Sequence, residues 1–323
     1  MTVSIGRKCC VLVLALVGIA WFARDGGAQD ASPPQAAIAE VIAAGTRVEL
    51  IKGGFQGLEG PVATADGGLY FTEIPASRIH LLDRNGTLSV WRENTQGTNG
   101  LFLAPDGRLL AAEGGGKRLV AIMPDGRVTP LATQFQGKPL HAPNDLILDR
   151  KGGIYFTDPA PRDQQAAGTS RSNVHYLTPG GEVLLLDDRI VFPNGLSLSL
   201  DEKTLFVTDS DGHHLNAFDV QPDGRLENKR QFVQLRDPVD SDRGVRSRSD
   251  GMAIDSVGRL YVTSGSGIQV ISPRGEYLGT IRVPELVRNV AFGGPRRQTL
   301  YLTGATSLFR VQLLSQGPAG RAK

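Results

Sequence analysis

Asn99-Gly100-Leu101-Phe102-Leu103, then Asp106-Gly107, then Leu109-Leu110-Ala111-Ala112: this stretch decides how the chain is read. A polar lead residue is followed by an apolar run of strand length, a tight Asx-Gly turn and a second apolar run. A third run at 119–123, the turn Asp125-Gly126 and a fourth run at 128–131 complete the unit. Four short strands in roughly forty residues is the content and the period of one propeller blade.

The same phrase recurs along the chain. Its leads read Glu59-Gly60-Pro61, Asn99-Gly100-Leu101, Asn144-Asp145-Leu146, Asn194-Gly195-Leu196, Asp250-Gly251-Met252 and Asn289-Val290-Ala291. Successive leads stand 40, 45, 50, 56 and 39 residues apart (99−59, 144−99, 194−144, 250−194, 289−250). Turn pairs such as Asp66-Gly67, Asn85-Gly86 and Asp223-Gly224 supply the positive φ values that two-residue hairpins need. No stretch shows a capped 3.6-residue apolar stripe, so helices should be few. The expected fold is all-β, a six-bladed β-propeller over residues 46–313 with a central metal site. A strand at 46–51 precedes the first unit and the sixth ends early, so the first strand should complete the last blade and remove an exposed edge. A two-sheet sandwich is the bland alternative, but it does not explain a polar lead at blade period.

The remainder of the chain sets the context. Gly stands at 40, Pro at 19 and aromatics at only 6%, a composition suited to short strands and tight turns. The net charge of +2 gives no reason to expect nucleic acid. Arg7 and Lys8 precede a 15-residue apolar run at 9–23, followed by the small-residue zone 24–29. This predicts a secretory signal peptide over 1–29, and hence a periplasmic or secreted protein that is off the membrane after cleavage. The alternative is an uncleaved anchor, for which the run is short. Without 1–29 the chain holds 35−3 = 32 basic and 33−1 = 32 acidic residues and is formally neutral. Both cysteines, Cys9 and Cys10, fall in that segment, which removes disulfides, thiolate catalysis and Cys-based zinc sites from the exported chain. Residues 30–45 read as a linker or irregular lead-in, and 314–323 as a tail.

If each unit is a blade, its lead faces one central channel, and six oxygen-bearing side chains converge. Glu59 and Asp250 bring negative charge, Asn144 and Asn194 neutral oxygens, and Asn99 and Asn289 further ones, directly or through water. An oxygen-only set favours calcium or another hard divalent cation over zinc. A single Asn-Gly usually just makes a turn; the joint occurrence at blade phase carries the signal. Glu113 and Asp158 end the second strands of their blades, where they line the channel or cap strand ends. His141 either faces substrate or is a hydrogen-bonded loop histidine. His213 and His214 are adjacent, and neighbours on a strand face opposite ways, so a turn is the simpler reading than a metal pair. Polar insertions at 159–173 and 236–249 are candidate lid or specificity loops, or ordinary surface excursions.

Leu58-Glu59-Gly60-Pro61, Pro143-Asn144-Asp145-Leu146, Tyr155-Phe156-Thr157-Asp158-Pro159, Pro193-Asn194-Gly195-Leu196 and Ser249-Asp250-Gly251-Met252 resemble the calcium-dependent six-bladed propellers of the senescence-marker-protein and gluconolactonase group. The similarity extends through Asn289-Val290-Ala291-Phe292-Gly293-Gly294 and covers essentially the whole chain after the leader. The resemblance implies a metal held by Glu59, Asn144, Asn194 and Asp250. It also implies hydrolysis of a small lactone or similar cyclic ester, with Asp250 as general base or nucleophile. One position departs: some sugar-lactone hydrolases of the group carry Arg two residues before the third-unit Asn, and here that residue is Ala142, preceded by His141. Competing readings are a non-catalytic binding propeller with a structural calcium, a phosphotriesterase-like hydrolase, or a synthase-type condensing enzyme.

Overall fold

The computed structural model of the chain describes residues 1–2, 29–30 and 32–320. The expected signal peptide and both cysteines lie outside the described residues, apart from the first two and Gln29.

Six antiparallel sheets form the ring, each entered through its innermost strand. The first blade runs Leu58–Ala63, Leu69–Glu73, Arg78–Leu82 and Leu88–Glu93. The second runs Thr98–Leu103, Leu109–Glu113, Arg118–Ile122 and Val128–Ala132. The third, fourth and fifth begin at Leu146–Leu148, Pro193–Leu198 and Met252–Ile254 and repeat the order. The sixth supplies only Val287–Gly293, Thr299–Gly304 and Ser307–Gln312 from its own stretch of chain. Its fourth strand is Glu49–Gly53, antiparallel to Ser307–Gln312 and flanked on its other side by the short Gln29–Asp30, so the first long strand of the described chain closes the ring. That pairing satisfies an edge that would otherwise be an open template for aggregation.

Alternation does the packing. Second strands such as Leu109–Glu113, Ile154–Asp158 and Leu260–Ser264 are buried along their whole length, because they lie between neighbouring blades on both faces. Outer strands such as Leu88–Glu93 show the polar, partly exposed pattern of a solvated face. Tyr155, Tyr176 and Tyr261 are buried with their hydroxyls satisfied, on the Gly224 carbonyl, Asp149 and Ser315 respectively. Residues 32–48 are irregular but packed: Ile38, Val41 and Ile42 join the core of the fifth and sixth blades, and Gln35 exchanges two hydrogen bonds with the Arg282 backbone. The stretch therefore lies against the ring, since its apolar residues have a core to enter.

Among the described residues α-helix is confined to Arg162–Ala166, inside the 159–173 insertion. The 236–249 insertion forms a small loop held by the Val239–Arg246 bridge.

Candidate active site

The start of each first strand decides what faces the axis. Register within the blades is fixed by the pairs Val62–Tyr70, Phe102–Leu110, Ile147–Tyr155, Ser197–Phe206, Ala253–Tyr261 and Ala291–Tyr301. Three residues before each of these first-strand partners stand Glu59, Asn99, Asn144, Asn194, Asp250 and Arg288. The first, second, fourth and sixth blades carry a bulge at this entry. Bulges re-aim side chains, which is why they gather at sites.

The sixth lead is therefore Arg288 and not Asn289. Hydrogen bonds between blades say the same. The Thr72, Thr157, Thr208 and Thr263 hydroxyls donate to the carbonyls of Asn99, Asn194, Asp250 and Arg288, the leads of the following blades. Asn289 instead occupies the position of Gly60, Gly100, Gly195 and Gly251. The sequence shows an Asn before an apolar run there, and only strand register displaces it by one residue.

At the glycine position the first strands touch. A Cβ on Gly60 would lie 2.2 Å from the Asn99 carbonyl oxygen, and one on Gly195 2.4 Å from that of Asp250. Two blades break the glycine pattern, the third with Asp145 and the sixth with Asn289, three blades apart and thus across the ring. Both side chains are buried, and each accepts the amide of the next residue, Leu146 or Val290, at 2.9 Å. They fill the space left by Gly100 and Gly251, where an added Cβ would collide with them. Asp145 is a charged member of this layer that the sequence reading passed over in favour of Asn144. Its signal was visible as the one carboxylate standing where four other units carry glycine.

Glu59 is the focus of the layer. It is 3% exposed, and its Oε2 accepts from the Asn289 carboxamide at 3.1 Å and the Gly60 amide at 3.3 Å. Burial pushes its carboxyl up to about 7, against the pull of the Arg288 guanidinium and the Asn289 bond, with the Asp145 charge adding to the rise. On the other side of the ring, the Asn194 amide donates to Ser210 Oγ at 3.1 Å, and Ser210 donates to the Ser249 carbonyl at 2.6 Å, next to Asp250. The Asp250 backbone amide is held by Thr263 Oγ1 at 3.0 Å.

The remaining predicted residues divide. Asn99 and Asn144 line one cavity of about 500 Å³ at this end of the ring, and the Asn99 Oδ1 atom is buried there with no hydrogen-bond partner. Glu113 and Asp158 do not line it. Asp158 accepts the His141 and Ala142 amides at 2.9 and 2.8 Å, and Glu113 holds Arg118 at 2.5 Å. Both fasten strand ends and entry loops, as Glu73 does for Gln56 and Asp209 for Phe192. Desolvation raises the Asp158 carboxyl despite those two amide bonds. His141 is a loop histidine whose Nε2 lies 3.2 Å from Ser170 Oγ. A larger cavity of about 630 Å³ opens at the opposite end, between turns such as 63–67 and 293–297. It contains none of the leads, so the chemistry belongs with the smaller one.

With the ring and its inner layer in view, comparison with known proteins is direct. The model of the SMP-30/Gluconolactonase/LRE-like region matches residues 58–306. The chain belongs to that family. A gluconolactonase of Zymomonas mobilis is 28% identical over 295 residues, covering 84% of this chain and 83% of its own. A pentonolactonase of Haloferax volcanii is 28% identical over 259 residues, covering 76% and 81%. Among solved structures, a gluconolactonase from Xanthomonas campestris superposes with a TM-score of 0.78 at 29% identity, over 90% of this chain and 99% of that one. A regucalcin from Agrobacterium tumefaciens, described as a calcium-binding protein, shares the fold with a TM-score of 0.71 at 19% identity. Family members named as gluconolactonases and lactonohydrolases support a lactone hydrolase acting on a small molecule.

The inner layer also suits a hard cation. Every lead but Arg288 offers an oxygen, the layer holds three carboxylates in Glu59, Asp145 and Asp250, Glu59 is desolvated, and the Asn99 oxygen is buried without a partner. Among the described residues no group of three or more His, Cys, Asp and Glu has metal-site spacing, so any site must count on carboxamides.

Proposed function

We propose that the protein opens a lactone or similar small cyclic ester at the inner layer of the ring, with calcium or another hard divalent cation held by Glu59, Asn144, Asn194 and Asp250. The observation that carries this reading is the desolvated Glu59 carboxylate in one layer with the carboxamide leads Asn99, Asn144 and Asn194, the first of which keeps a buried oxygen unused. A carboxyl buried to this degree is far more comfortable beside a cation than alone. Bound there, the cation would polarise the ester carbonyl and stabilise the oxyanion of the tetrahedral intermediate.

The residues do the rest. Asp250, pinned through its backbone to Thr263, takes a proton from the attacking water and returns it to the ring oxygen as the acyl C–O bond breaks. The product is the open hydroxy acid. Asn99 and Asn144 line the cavity in which the ring would lie, and the small Ala142 leaves room beside them.

The test is hydrolysis of a panel of small lactones by the chain from residue 30 onward, with EDTA and then with calcium restored. Loss and recovery of turnover supports the reading. Calcium binding with no turnover on any ring would move the propeller to a binding module with a structural metal. Export belongs to the same proposal and rests on the sequence of 1–29; N-terminal sequencing of the protein recovered outside the cytoplasm tests it.

A further inference from the structure

The two insertions meet on one carboxylate. Asp211, with its side chain 8% exposed, lies in the loop between the second and third strands of the fourth blade. Its Oδ2 accepts from Arg162 of the first insertion, and its Oδ1 faces Arg243 and Arg246 of the second, each at 3.4 Å. Asp211 directly follows Ser210, the residue that receives the Asn194 amide. The cluster therefore sits one residue from the ring's inner layer. The other acid in contact is Asp242, 3.9 Å from Arg243 and 87% exposed. Three guanidiniums against these two carboxylates leave a surplus positive charge, and the Arg246 Nε atom is buried with no hydrogen-bond partner.

Arg162 carries that surplus to the site. Of the described residues lining the 500 Å³ cavity with Asn99 and Asn144, Arg162 is the one with a charge. Ala142, Pro143, Pro159 and Phe192 make the nearby wall small and apolar. The guanidinium is stacked over the Phe192 ring, 3.8 Å from its centroid, and one edge is fixed by Asp211. A planar fork held by stacking and by one carboxylate has lost its rotamer freedom in advance and keeps further N–H groups for a second partner. With its side chain 43% exposed, the guanidinium is open to a ligand entering the cavity, and the partner its planar fork selects is an oxyanion, which can accept two parallel N–H bonds.

We propose that Arg162 is a specificity-determining residue and that the substrate is a lactone bearing a second, anionic group, a carboxylate or a phosphate. This rests on the lactone-hydrolase reading above. The inference supplies what Ala142 lacks: a cation in the substrate cavity, delivered from the 159–173 insertion.

The experiment compares glucono-1,5-lactone, its 6-phosphate and glucaro-1,4-lactone as substrates of the wild type, Arg162→Gln and Arg162→Lys. Binding of open glucarate, 6-phosphogluconate and gluconate is measured alongside by calorimetry. The wild type should prefer one or both charged lactones through KM, and the responding member shows whether carboxylate or phosphate is read. In Arg162→Gln the ratio of kcat/KM for charged over neutral lactone should fall about tenfold to a hundredfold, the value of one charge-assisted pair. Arg162→Lys should recover part of it, with melting temperatures confirming that both variants are folded. If turnover occurs and the ratio is the same in wild type and Arg162→Gln, the inference is overturned while the hydrolase reading stands. If no lactone turns over but glucarate or 6-phosphogluconate binds and loses affinity about tenfold or more in Arg162→Gln, the anion site stands and the hydrolase reading fails. If no lactone turns over and binding of both glucarate and 6-phosphogluconate is indifferent to Arg162, the inference is overturned.

Discussion

The Asn289 carboxamide donates to the Glu59 carboxylate at 3.1 Å, joining residues 230 positions apart where the last blade meets the first. The ring is thus sealed twice, at its rim by the pairing of Glu49–Gly53 with Ser307–Gln312 and at its axis by this bond. Because Glu59 is also a proposed cation ligand, closure of the fold and assembly of the site are one event.

Asn289→Ala should therefore destabilise the protein beyond the loss of one ordinary hydrogen bond. It removes a donor from a buried carboxylate and empties the space against Gly251, together about 1–3 kcal/mol or somewhat more. Asn289→Asp should be worse at neutral pH, since it sets a second carboxylate against Glu59. Denaturant unfolding without added metal checks both, and a wild-type midpoint for Asn289→Ala would remove the seal from the account.

Chelation should abolish hydrolysis, and calcium should restore it. A cation that binds only the folded ring also raises stability, by about 2.7 kcal/mol at a free concentration one hundred times its Kd. Asp250→Asn should cost about 10²–10⁴ in kcat, with little change in melting temperature when both proteins are compared without the cation. Turnover at the wild-type rate in that variant would remove Asp250 from its role.

His175 gives the expected acid sensitivity. It is fully buried between Phe135 and Phe156, with Nδ1 facing the Leu184 carbonyl at 3.2 Å. Its other titratable neighbours are Asp158, 3.9 Å from Nε2, and His141. Burial lowers its pKa from 6.5 to about 4, so the folded state keeps the ring neutral while the unfolded chain would protonate it. A depressed folded value means stability is full above about 6.5 and is lost as pH falls from there toward 4, by on the order of 3 kcal/mol. Stability of His175→Phe measured between pH 7 and 4 should fall less steeply than that of the wild type. Parallel curves would assign the acid sensitivity elsewhere.

Gly195 and Gly181 separate packing from backbone strain. Gly181, at φ +88° with open space around it, should cost only about 1 kcal/mol as alanine. Gly195→Ala drives a methyl to 2.4 Å from the Asp250 carbonyl oxygen, so it should both destabilise more and reduce activity by shifting Asp250. Equal losses in the two variants would contradict the close approach of the first strands.

The fold was legible because its cues are local. Period-2 alternation, Asx-Gly turns and a polar lead recur within single units, and each depends on a few neighbouring residues. Composition and the blade period likewise point away from a helical design. Glu59, Asn99, Asn144, Asn194 and Asp250 could be picked out because the lead phase repeats where the local motif is intact.

What the sequence could not decide depends on register and on contacts between blades. Arg288 in place of Asn289 follows from counting back through paired strands across a bulge, and a bulge is an insertion that only its partner strand reveals. Asp145 stands one residue from a conspicuous Asn, and its burial beside Glu59 is set by the neighbouring blade's glycine. Arg162, Arg243 and Arg246 lie up to 84 positions apart (246−162) in two insertions without repeat character, and Asp211 lies in a blade loop between them. Only the folded ring brings the three arginines onto one carboxylate and sets Arg162 at the cavity, because charge clustering is a property of distance in space and the chain records only distance along itself.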